Sequence, residues 1–115
     1  MAVFTNGFDA YQIFYYSKYS TPPPPFFEAI IQVYQAGVFV GRIAFYPDGG
    51  PIPANATIAP LGAPVPSIHY ALSRFDDVIE ILRQEKPLYL YLDTTSGIGI
   101  IATTDKEPVG EQEGV

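Results

Sequence analysis

The chain reads as an α+β protein: an antiparallel sheet of about six strands with one helix packed on one face. Three observations carry this reading. Aromatic and β-branched residues alternate with polar ones in several short runs. A single segment has helical periodicity, and Pro- and Gly-rich stretches separate the rest.

Tyr11 to Tyr19 is rich in aromatic and β-branched residues and is expected as the first strand. Pro22 to Pro25 follow; they fix φ, remove donors and predict a stiff polyproline connector. Phe27 to Gln35 is the second strand, with Phe27, Ala29, Ile31 and Val33 on one face. Ala36-Gly37 supplies a tight reversal into the third strand, Val38 to Tyr46. Arg42 interrupts the apolar run on one face of that strand, while Gly41, Ile43 and Phe45 line the other.

From Pro47 to Pro66 the chain holds six of its twelve prolines. A structureless stretch of that length is unusual in a small domain, so a short extended piece is expected around Ala56 to Ile58. Ser67 to Leu72 is a further short strand. Ser73-Arg-Phe-Asp76 has the form of a capping box. Behind it Phe75, Val78, Ile79 and Leu82 fall at i, i+3, i+4 and i+7, one apolar stripe of a helix. Pro87 ends the helix near Glu85, because the residue before a proline is driven out of helical geometry. Leu88 to Asp93 alternates strictly, with Leu88, Leu90 and Leu92 on one side and Tyr89, Tyr91 and Asp93 on the other. Thr94 to Gly97 turns the chain and Ile98 to Thr103 returns it, a second hairpin. The domain is expected to span 1–104, followed by a mobile acidic tail, 105–115. In chain order this is β-β-β-β-α-β-β, with the leucine face of Leu88–Leu92 expected to meet the helix stripe.

Composition narrows the function classes. Of the 115 residues 48% are hydrophobic and 16% charged, so the chain folds rather than staying disordered. There is no cysteine and one histidine, which excludes disulfide scaffolds, zinc-thiolate sites and imidazole metal clusters; no metal or cofactor is expected. Six basic against twelve acidic residues give a net charge of −6, which opposes nucleic acid and anionic membranes as partners. No apolar run is long enough for a membrane span and the first residues lack a signal-peptide pattern, so the expected location is the cytoplasm, of a bacterium by the chain's compactness.

No chemical motif is specific. Asp48-Gly-Gly50 and Ser96-Gly-Ile-Gly99 read as turns, since neither has the context of a phosphate-binding loop. Asn55-Ala-Thr57 fits a glycosylation sequon, which without an export signal is coincidence. His69 on its strand is either a hydrogen-bonded strand residue or a general base, and a base needs an orienting acid and a substrate within reach. Tyr11, Tyr15 and Tyr19 share a face of the first strand, and Tyr89 and Tyr91 share a face of the strand after the helix. Such rings serve sheet packing, an oligomer interface or ligand stacking.

A helix about 10 Å wide covers two or three strands spaced about 4.8 Å, not six. The uncovered apolar sheet needs another cover: the Pro-rich loop, curling of the sheet toward a barrel, or a second copy of the chain, and the last is expected, by twofold symmetry. The leading expectation is therefore a non-enzymatic, homodimeric interaction or structural module. The second is a small-molecule-binding domain, with a pocket between the sheet and the Pro-rich loop lined by tyrosines, His69 and Arg42. The third is an enzyme using His69.

Overall fold

The computed structural model describes residues 2–17 and 27–103. Eight strands lie among them: β1 (Val3–Phe8), β2 (Ala10–Tyr15), β3 (Ala29–Gln35), β4 (Val38–Tyr46), β5 (Ala56–Ile58), β6 (Val65–Ala71), β7 (Leu88–Asp93) and β8 (Gly99–Thr103). A 3-10 turn (Leu72–Arg74) leads into the helix α1 (Phe75–Gln84). The polyproline segment and the acidic tail expected from the sequence lie outside the described residues, as do Lys18 and Tyr19. No described helix is long and apolar enough to cross a membrane.

The class is α+β with one helix, but the single antiparallel sheet is corrected to two sheets. One has three strands in the order β1-β7-β8; the other has five in the order β2-β3-β4-β6-β5. All pairings are antiparallel except β4 with β6, which is parallel. The long connection after β4 makes the parallel pairing possible, because parallel neighbours need a crossover rather than a tight turn.

The strand β1 has no counterpart in the sequence reading. Its inward positions are Phe4, Asn6 and Phe8, so a polar residue breaks the apolar face. Asn6 is accommodated because its Nδ2 donates to the Val40 carbonyl at 3.0 Å. At Asp9 the chain passes from one sheet into the other, and the Asp9 N–H donates to the Tyr34 carbonyl at 2.9 Å.

The β3–β4 hairpin forms as expected, with φ of 52° at Ala36 and 82° at Gly37, the positive values that a two-residue reversal between twisted strands requires. The capping box does not form. Ser73 lies inside the 3-10 turn, Arg74 occupies the cap position in helical geometry, and no side chain caps the helix. The turn runs straight into the helix, which leaves no extended residue to act as a cap. The Ser73 N–H instead donates to Asp48 Oδ1 at 3.0 Å. The helix ends as Pro87 dictates, with Glu85 already extended.

The core lies between the sheets. Ile31, Val33, Ile43, Phe45 and Ile68 of the larger sheet are buried, and so are Leu88, Leu90 and Leu92 of the smaller one. Val78 and Leu82 of α1 join the same cluster. The leucine face therefore meets more than the helix: Leu90 seats over Gly41, where an added Cβ would stand 2.7 Å from Leu90 Cδ1 and 3.1 Å from the Pro66 carbonyl. Phe75 places its ring edge-on to Phe45 (5.0 Å between centroids) and Tyr15 (5.2 Å). The helix supplies about 10 Å of cover and three strands about 14 Å, which together match five strands at about 4.8 Å spacing. The chain thus covers the centre of that inner face itself, while at its β2 edge Ile13 and Tyr15, on the same face as Ile31 and Ala29, stay 42% and 60% exposed. The apolar surface left uncovered is therefore the β2 edge and the two outer faces.

Candidate functional site

The outer face of the five-stranded sheet carries the densest polar grouping in the described residues. The parallel register sets Arg42 opposite Ser67, and His69 follows two residues later on the same face. Arg42 Nε donates to Ser67 Oγ at 2.8 Å, and Ser67 Oγ lies 2.8 Å from His69 Nε2. His69 Nδ1 lies 3.0 Å from the Pro53 carbonyl. A carbonyl only accepts, so Nδ1 carries the hydrogen and Nε2 accepts from the Ser67 hydroxyl in the neutral ring. The chain of donors then runs from Arg42 to Ser67 to His69 to the Pro53 carbonyl. Asn55 fixes the loop from the other side: its Oδ1 accepts the His69 N–H at 2.7 Å, and its Nδ2 donates to the Gly97 carbonyl at 3.0 Å.

An aromatic group borders this network. Arg42 Cζ lies 5.5 Å from the centroid of the Phe27 ring. Tyr16 and Tyr46 flank Phe27 at 5.8 and 6.1 Å between centroids, and Tyr46 stands edge-on to His69 at 5.3 Å. Burial lowers the His69 pKa from its ordinary value, the hydrogen bond to Pro53 opposes this, and the nearby Arg42 charge adds to it. His69 is therefore neutral at neutral pH. Burial also lowers the Arg42 pKa, opposed by Tyr46 and Tyr16, but an arginine starts so high that it keeps its charge.

A serine hydroxyl donating to a histidine is the geometry of an activated nucleophile. Here Ser67 is 0% exposed, so its oxygen cannot meet a substrate in this conformation. Within the folded molecule the network orients Arg42 and holds the Pro-rich loop on the sheet.

The residues singled out from the sequence fall in three places. Arg42 and His69 come together, joined through Ser67. Tyr11 and Tyr15 lie on the inner face of β2, Tyr11 packed on the core and Tyr15 against Phe75. Tyr89 and Tyr91 lie on the outer face of the three-stranded sheet. The tyrosines do not converge with His69. Where a pocket between sheet and Pro-rich loop was expected, Pro53 and Asn55 bond directly to His69. A cavity of about 210 Å³ opens elsewhere, between the end of α1 and the β1–β2 corner, lined by Phe8, Asp9, Tyr11, Leu82, Lys86 and Leu88. Among the described residues no three His, Asp or Glu gather at metal-binding distance.

Ser67 and Asn55 were missed as site residues. The spacing Ser67-Ile68-His69 on a strand does put two polar side chains on one face, a signal available in the sequence. The arrival of Asn55 depends on how the long loop folds back.

Comparison with protein families, with curated proteins and with solved structures finds no match to this chain.

Proposed function

We propose that the protein is a non-enzymatic interaction module that pairs with a second copy of itself through the outer face of β1, β7 and β8. The composition of that face carries the reading. Tyr89 and Tyr91 sit half-buried along its centre. Around them Val3, Ile98 and Ile100 are 49%, 54% and 43% exposed. Among the described residues no Lys or Arg lies on it. Its acid, Asp93, already accepts the N–H of Thr95 at 2.9 Å. Two chains of charge −6 repel each other, so they approach best where the surface is least charged. A twofold axis through the face brings the same apolar groups together from both copies.

Three strands about 4.8 Å apart and six residues long at about 3.3 Å present roughly 300 Å² of flat area. That is well below the ~800 Å² per partner of a standard stable interface, so the dimer is a weak one. Sedimentation equilibrium or light scattering up to a few hundred micromolar tests it. The expected mass rises with concentration toward twice 12.6 kDa. Tyr91→Glu holds it at the monomer value while circular dichroism shows an intact fold. A mass that stays monomeric over the whole range refutes the proposal.

A further inference from the structure

We propose that Arg42 is a binding site for a small monoanionic carboxylate carried on a flat apolar body. Five observations lead there. The guanidinium is half-buried, and taking a charge out of water is unfavourable unless something compensates it. The chain has twelve acidic residues, yet the one ion pair among the described residues is Arg74–Asp77 at the surface. Arg42 has no carboxylate partner among them. Its Nε is fixed on Ser67, which His69 fixes in turn, so the side chain is held in one orientation. Its two terminal nitrogens bond to no described residue, and among the described residues they are not sealed polar atoms left without a partner. They form the edge of the guanidinium that matches a carboxylate with two parallel hydrogen bonds.

The surroundings choose the kind of anion. Tyr16, 38% exposed, and the partly exposed Phe27 provide ring surface beside the charge for an apolar body, with the buried Tyr46 packed edge-on behind Phe27. Among the described residues Arg42 is the one full positive charge in the grouping, because both ring nitrogens of His69 are engaged in the neutral form. One positive charge balances a monoanion better than a dianionic phosphate. The site lies on the five-stranded sheet and is independent of pairing through the other sheet.

The test follows the Arg42 Nε–Hε resonance of the full ¹⁵N-labelled chain during titration with sodium benzoate at constant ionic strength. One bidentate pair plus a ring contact supports millimolar affinity, so the titration runs to about 50 mM. A saturable shift is expected with benzoate and none with benzamide, which has the same ring without the charge. Arg42→Met abolishes the benzoate response of neighbouring backbone amides. Arg42→Lys, which keeps the charge and guards against loss of folding, weakens binding roughly 5- to 10-fold because an ammonium cannot form the paired bonds. The proposal fails if the shift does not saturate, if benzamide acts equally, or if Arg42→Lys binds as well as the parent. It also fails if replacing Glu107, Glu111 and Glu113 by Gln in the full chain displaces the Arg42 resonance without added ligand, since the chain's own acids then fill the site.

Discussion

His69 shows how one half-buried ring couples to the stability of the whole chain. Its folded pKa lies below the ordinary value of 6.5, chiefly through burial. The unfolded chain therefore takes up a proton as the pH falls through 6.5 while the native ring stays neutral, so the unfolded state binds more protons in that window. Stability is full above the unfolded value and declines as the pH falls below it. Urea titrations between about pH 7.5 and 5 are expected to show this decline, and His69→Gln is expected to flatten the part of it that lies above the carboxylate range. An identical decline in both proteins would assign the effect to other groups. Arg42 and His69 were legible as polar interruptions of apolar strands. Ser67, the residue that joins them, is a small polar side chain of a common type, and only its place opposite Arg42 gives it a role.

Among the elements, α1 separates what periodicity states from what it leaves open. The stripe of Phe75, Val78, Ile79 and Leu82 packs on the core as the spacing requires. The start of the helix does not follow its apparent signal, because the 3-10 turn displaces Ser73 from the cap position. A serine that caps a helix loses about 1 kcal/mol on replacement by alanine. Ser73→Ala is here expected to change stability by less than about 0.5 kcal/mol, since the bond it takes part in uses its backbone N–H and not its side chain. A larger loss in urea unfolding would restore the capping role. The strand β1 is the opposite case. Phe4 and Phe8 are inward, but Asn6 between them hides the alternation, and β7 supplies the pairing that makes it a strand.

The whole molecule is organised around the space between two sheets. Leu90 is 0% exposed and fits over Gly41 of the opposite sheet. Leu90→Ala is expected to cost about 2–5 kcal/mol, the range for emptying a well-packed site, measured from the shift in urea midpoint. Tyr89, its neighbour on the outward face, is expected to lose far less stability on the same replacement and to affect association instead. Comparable losses at both positions would contradict a core that lies between the sheets.

The sequence by itself determined the α+β class, both hairpins, the helix stripe and the face each side chain takes along β3, β7 and the part of β4 from Gly41 on, before which a register shift turns Val40 toward the core. These depend on neighbours a few residues apart, whose spacing of two or of three and four is written along the chain. Only the tertiary structure decided that the strands divide into two sheets, that β4 pairs with β6 in parallel, and that Arg42, Ser67 and His69 form one network. Alternation states which face of a strand avoids water, but it does not say what covers that face. Arg42 and Ser67 are 25 residues apart, and they meet because burying both apolar faces against each other is the arrangement that removes most surface from water.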